Sequence, residues 1–399
     1  MSFPKGICVC TGSCSSVPVA RHRKVSHWNR QGDPIAASSQ DAAARSIVLA
    51  EVVEMGGAER SCLALSRWLY EHNLPHQIVT YVDRAGMAAH AAHPVMVVQL
   101  KPSMSPWSKI AALRRYFAAN PPERKPLTSG YQPALHATIA GLRGFHNLMH
   151  DTPGLFTTPA DAASLKRRLA LGLSDRIVAH GLRSGGHTLV TSEYLQAETR
   201  RTFGVEADIV RMGGLSQTNA FRLRPVLGEI RLFTVSRLEN NKRIDWILRA
   251  LAQLPPTLPW RLDVSGKGSQ MQALTELSAS LGISERVHFH GFVSDQRLQQ
   301  LYDQAHLFLM PAVQGYGIPA IEALQRGIPV LLHRESGVSD ILLRTPWATV
   351  MQGDEASMLP ALSEAIRSVR TGTHLDRPLP TIPTEEEWSE RVAILCGWL

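Results

Sequence analysis

The amino-acid sequence predicts an α/β protein made of two doubly wound domains. Short apolar runs alternate with segments of helical periodicity in both halves, the pattern of parallel strands joined by crossover helices. At 399 residues, the chain is long enough for about two domains of ~100–200 residues each. Glycine-bearing loops follow several apolar runs, at the strand ends where open α/β sheets hold ligands.

Taken in order, residues 1–45 mix Ser, Gln and Ala with the basic Arg21-His22-Arg23-Lys24 and show no periodicity, so they read as a mobile arm. Ile47-Val48-Leu49-Ala50 is the first strand, followed by Gly56-Gly57 and a helix with Cys62, Leu65, Trp68 and Leu69 on one face. Residues 77–82 and 95–98 are the next strands. The whole of 46–215 forms one domain. Residues 216–229, polar with Pro225 and Gly228, read as the linker.

From residue 230 to 375 the same logic repeats. Strands are expected at 231–235, 261–264, 287–290, 307–310 and 330–332, with helices at 245–254, 270–281, 296–302 and 319–326. Residues 376–399 form a tail and helix expected to pack back on the first domain.

Composition narrows the function. Hydrophobic residues are 44% and charged residues 19%, ordinary for a globular chain. No apolar run approaches the ~18 residues of a membrane span. Met1 to Arg45 lacks a signal-peptide core, so cytoplasm is the expected compartment. Of the five cysteines, Cys8, Cys10 and Cys14 crowd the start, which is no disulfide framework and lacks the paired spacing of structural zinc. No metal site is expected.

The net charge of +8 suits nucleic acid, an anionic membrane surface or a phosphorylated substrate. No zinc-finger, homeodomain or RNA-recognition pattern accompanies it, which argues against nucleic acid. Lys101, Lys109, Arg114, Arg115, Arg124 and Lys125 face a single acid, Glu123, in a stretch where Trp107, Ile110, Leu113 and Phe117 share a helical side. Such a helix either docks peripherally on anionic lipid or packs on its own core.

Three loops of the second half carry candidate chemistry. Arg237 and Lys242 share one strand-to-helix loop, where two fixed cations suit a diphosphate; a solvated basic loop is the other reading. Gly266 and Gly268 permit a close backbone approach to a nucleotide, or an ordinary tight turn. In Gln314-Gly315-Tyr316-Gly317-Ile318-Pro319-Ala320-Ile321-Glu322, Pro319 belongs in the first turn of a helix. Glu322 is expected in that turn too, where the helix dipole favours a carboxylate able to accept from vicinal ribose hydroxyls.

With these blocks in this order, the chain from about Ile47 onward resembles family 4 glycosyltransferases, a retaining group. The resemblance implies the GT-B fold, two Rossmann-like domains facing across a cleft. It rests on Gly56-Gly57-Ala58-Glu59-Arg60, Arg237 with Lys242, Gly266-x-Gly268 and, most specifically, the block from Gly315 to Glu322. By resemblance, Arg237 and Lys242 hold the donor diphosphate and Glu322 the ribose. Gly315, Tyr316 and Gly317 contact the donor, and His290-Gly291-Phe292-Val293 frames the base. His150 matches in place the histidine that the family projects toward the donor sugar. Gly56 and Gly57 precede a helix N-terminus, which can receive phosphates or the acceptor. Ser192-Glu193 resembles the family's domain-edge turn, and Ser192 itself reads first as an N-cap.

The implied reaction moves a hexose from a nucleotide diphosphate sugar, as co-substrate, to a saccharide or lipid-linked acceptor in polysaccharide or glycolipid assembly. No cofactor is expected, and the two cations replace a metal ion. The family has two glutamates seven residues apart, and here the first position is Gln314. A glutamine keeps the hydrogen bonding but not the charge that stabilises an oxocarbenium-like centre. That departure leaves a silent nucleotide-sugar-binding homologue as an alternative, beside an epimerase on the same fold.

Overall fold

The structure is a computed structural model, and it describes residues 45–399 other than 104, 152, 154–164 and 215–220. The N-terminal arm up to residue 44, with its cysteine trio, and residues 216–220 of the linker lie outside the described residues.

The first sheet comprises β1 (Ser46–Val48), β2 (Gln77–Thr80), β3 (Val97–Gln99), β4 (Leu127–Ser129), β5 (His146–Met149), β6 (Thr188–Val190) and β7 (Asp208–Ile209), in the order β3-β2-β1-β4-β5-β6-β7. The second holds β8 (Ile230–Val235), β9 (Trp260–Ser265), β10 (Val287–Gly291), β11 (Leu307–Met310), β12 (Val330–His333) and β13 (Ala348–Met351), in the order β10-β9-β8-β11-β12-β13. Every strand pairing among the described residues is parallel. Each order reverses beside its first strand, between β1 and β4 and between β8 and β11. Those reversals are the switch points where doubly wound sheets open a ligand crevice.

Strands β4 to β7 and β13 were not among the expected elements. They are short, and β4, β5 and β6 are buried throughout even though they carry polar residues such as Thr128, Asn147 and Thr188. Burial on both faces removes the alternation that marks a strand. Two of them bond to neighbouring backbone: Thr128 Oγ1 donates to the His146 carbonyl and Asn147 Nδ2 to the Gly130 carbonyl, each at 3.0 Å.

Both sheets belong to one compact unit, and the chain's last segment helps to join them. The helix Glu385–Leu395 opens on a reciprocal cap between Thr384 and Glu387. It packs against the helix Gly57–Glu71 of the first domain, with Glu385 ion-paired to Arg67 at 2.8 Å. Beyond it, the Trp398 carbonyl accepts from Arg45 Nε and Nη2 at 2.9 and 2.7 Å. Trp388 and Trp398 are 1% and 0% exposed, in one apolar cluster that also holds Leu65, Trp68, Phe308 and Leu324.

The basic helix settles as Pro106–Ala119. Ile110, Leu113 and Phe117 join a first-domain core cluster with Val48, Val79 and Tyr131. Lys109 is buried too, ion-paired to Glu51 at 2.7 Å. The apolar face is therefore the domain's own packing surface; only Trp107, 72% exposed, points away. Among the described residues no helix is long and apolar enough to cross a membrane.

Because the tail completes a shared core, Trp388→Ala is expected to destabilise the protein by about 3–5 kcal/mol, as large-to-small core changes do. Urea unfolding followed by circular dichroism measures it. A midpoint matching the parent protein would show that the helix merely rests on the surface.

Candidate active site

The strand ends of the two sheets face each other around a cavity of about 300 Å³, within the size range of small-molecule sites. The first domain contributes Gly57, His150, Asp151 and Thr191 to the wall; the second contributes Ser236, Arg237, Lys242, Gln314 and Gly315 to Pro319.

On the second domain's side, β8 ends at Val235 and the chain turns through Arg237 into a tight helical turn, Asn240–Lys242. Arg243 then takes a left-handed backbone, φ 56°, and the helix Ile244–Ala252 begins. This geometry aims both cations of the loop at the cavity. Lys242 Nζ donates to Gln314 Oε1 at 3.2 Å, and Gln314 Nε2 donates to Met310 Sδ at 2.6 Å. Burial lowers the Lys242 ammonium below its ordinary pKa; Asp151 opposes that shift and Arg237 adds to it.

Beyond β11 the glycine block turns back on itself. Gly317 has φ 121°, and a Cβ there would stand 2.6 Å from Met310 Cε, so the position needs glycine. Gly317 also caps the helix Ile318–Gln325. At Gly315 the demand comes from the other domain, since a Cβ would stand 1.9 Å from the His150 carbonyl oxygen. The Gly315 carbonyl accepts from Ser192 Oγ at 2.9 Å, and the Tyr316 hydroxyl donates to the Met212 carbonyl at 2.6 Å. Ser192 also caps its own helix Glu193–Phe203 by accepting from Leu195 N at 3.2 Å.

His150 directly follows β5. Its Nε2 lies 2.8 Å from Ser129 Oγ at the end of β4. Burial pushes its pKa from 6.5 down to about 4, with Asp151 pulling the other way, so the ring is neutral near pH 7. On the same domain, Gly57 starts its helix and Glu59 accepts from Gly56 N at 3.1 Å, closing a local cap.

Comparison with solved structures decides the architecture. The chain aligns with WaaG, a glycosyltransferase involved in lipopolysaccharide biosynthesis, with TM-score 0.67 and 16% identity over 88% of this chain and 100% of that one. It aligns with Anabaena HepE in complex with UDP-glucose at TM-score 0.65 and 17% identity, over 88% of this chain and 94% of that one. The fold is GT-B. Residues 216–349 match the family model of glycosyl transferases group 1.

Curated relatives match over the same kind of span. The GDP-mannose-dependent alpha-(1-6)-phosphatidylinositol monomannoside mannosyltransferase of Mycolicibacterium smegmatis is 29% identical over 134 residues, 31% of this chain and 35% of that protein. The D-inositol 3-phosphate glycosyltransferase of Nocardia farcinica is 37% identical over 139 residues, 33% of this chain and 31% of that protein. The matched stretch thus spans about a third of these relatives' length.

Several expected residues lie outside the wall of this cavity. Gly266 and Gly268 do not line the cavity; their missing Cβ atoms would meet the Ser236 and Leu238 carbonyl oxygens at 1.8 and 2.3 Å, so they seat this loop on the one bearing Arg237. Glu322 is the fifth residue of its helix and lies beyond the first turn, where it accepts from the Tyr302 hydroxyl at 3.1 Å. Burial raises its carboxyl pKa, and it too stands off the cavity wall. Phe292 is 76% exposed with Lys267 Nζ 5.3 Å from its ring centre, and Val293 leans on the core. Gly56 caps a helix beside the cavity while Gly57 reaches it.

Two features escaped sequence reasoning. Asp151 lines the cavity, and Thr191 with Ser192 joins the domains at Gly315. For Asp151 the available signal was its place next to His150; for the seam it was the resemblance of Ser192-Glu193 to the family's domain-edge turn, which names no partner.

His150 generates a pH prediction. Its folded pKa of about 4 lies below the unfolded 6.5, so its contribution to stability is complete above pH 6.5 and is lost as pH falls toward 4. His150→Gln should therefore flatten the decline of melting temperature across that window. Parallel curves for the two proteins would mean that His150 takes up its proton without cost.

Proposed function

We propose that this protein is a retaining glycosyltransferase of the family 4 type, moving a hexose from a nucleotide diphosphate sugar to a saccharide or lipid-linked acceptor in polysaccharide or glycolipid assembly. The observation that carries the reading is the pair Arg237 and Lys242 on the wall of the interdomain cavity, opposite the helix N-terminus at Gly57. The group 1 match covers the domain bearing both cations. The Mycolicibacterium relative is GDP-mannose-dependent and HepE is held with UDP-glucose, which supports a nucleotide-sugar donor.

In this reading the donor diphosphate lies against Arg237 and Lys242. They neutralise the charge that grows on the departing phosphate, so no metal ion is required. Backbone N–H groups at the start of the Gly57 helix complete the phosphate site. The acceptor hydroxyl attacks the anomeric carbon on the face from which the phosphate departs, and its proton passes to that phosphate. Neutral His150 and the Gln314 amide orient sugar hydroxyls; Glu322 takes the ribose and the 290–293 segment the base. The site works on the cytoplasmic side, with exposed Trp107 and its basic neighbours meeting an anionic membrane.

Gln314 favours a second reading, a nucleotide-sugar-binding homologue without turnover, because a neutral amide stands where the family carries a carboxylate. Activity separates the two. Purified protein should transfer sugar from UDP-glucose or GDP-mannose and keep doing so in EDTA. Arg237→Ala and Lys242→Ala should each weaken nucleoside diphosphate binding by about 1.5–3 kcal/mol, the range for hydrogen bonds to charged groups. Calorimetry showing parental affinity in both variants would remove the cations from the site. Tight binding with no transfer from any donor would select the silent homologue.

A further inference from the structure

Resting on the glycosyltransferase reading, we propose that Asp151 supplies, from the first domain, the carboxylate at the reacting sugar that Gln314 does not provide from the second. Among the described residues lining the cavity, Asp151 is the only carboxylate, beside the cations Arg237 and Lys242 and the neutral His150. It is exposed and directly follows His150 at the end of β5.

Other acids near the cleft are engaged elsewhere. Glu59 accepts from Gly56 N at 3.1 Å and closes its own helix cap. Asp340 accepts from Glu193 N and from Arg211 at 3.0 and 2.9 Å. Glu335 sits 3.6 Å from Arg334.

Lys242 lines the same cavity as Gln314 and Asp151. Its ammonium donates to Gln314 Oε1 at 3.2 Å and is stabilised by the Asp151 charge. A carboxylate near the diphosphate cations has two opposite effects. It competes with the donor phosphates for Lys242, which weakens ground-state binding. It also faces the positive charge that develops at the sugar carbon as the phosphate departs, which lowers the barrier. A second carboxylate at 314 would double the repulsion of the diphosphate, so a neutral residue there and an acid at 151 are complementary choices.

That pairing has a signature that structural damage does not imitate. Asp151→Asn should bind UDP or GDP about threefold or more tightly by calorimetry, because the competing charge is gone. The same variant should lose at least roughly tenfold in kcat for transfer from UDP-glucose or GDP-mannose, whichever the parent protein uses. Adding Gln314→Glu to Asp151→Asn should return kcat to within about threefold of the parent. An active parent whose Asp151→Asn variant binds no tighter, turns over as fast, or is not rescued by Gln314→Glu overturns this proposal alone. A parent that binds UDP or GDP yet transfers nothing overturns it together with the transferase reading.

Discussion

The contact on which the site depends is one backbone against another. The His150 carbonyl lies where a side chain at 315 would begin, 1.9 Å from the position of a Cβ. Ser192 Oγ holds the Gly315 carbonyl at 2.9 Å from the same side. A methyl group at 315 has to push the first domain away or turn the loop, and either movement separates the opposing walls. The distance between His150 and Gln314, and the size of the cavity, follow from that one missing side chain.

Around this seam the electrostatics are arranged asymmetrically. The cations come from the second domain, fixed by a helical turn and a left-handed Arg243. The first domain brings neutral His150 and the Asp151 carboxylate. Partial burial makes the lysine's charge costly, and a carboxylate across the cleft and an amide beside it offset that cost. In the proposed reading, the donor diphosphate takes the place of both partners.

How much of this was legible in the sequence depends on how local each cause is. The Gly315–Pro319 block and the Arg237–Lys242 loop could be read because a tight turn, a proline in a first helical turn and a pair of cations act over a few residues. The Ser192 cap was readable for the same reason, but its second role against Gly315 was not, because that partner lies 123 positions away. Gly266 and Gly268 were recognised as close-approach glycines, but that the backbone packed against them is that of Ser236 and Leu238 could not be read from the loop itself. The 106–119 helix shows the limit most plainly. Its Ile110, Leu113 and Phe117 have the spacing of a membrane-docking face, and only the neighbouring strands and helices reveal that they are core.

The bond from Arg45 to the Trp398 carbonyl joins residues 353 positions apart. A ribosome delivers the chain from its N-terminus, so the first domain emerges with part of its apolar surface uncovered. That surface stays open throughout synthesis of the second domain, until the helix carrying Trp388 arrives to cover it. The two halves are therefore not separate folding events in order of synthesis, because the earlier one closes last.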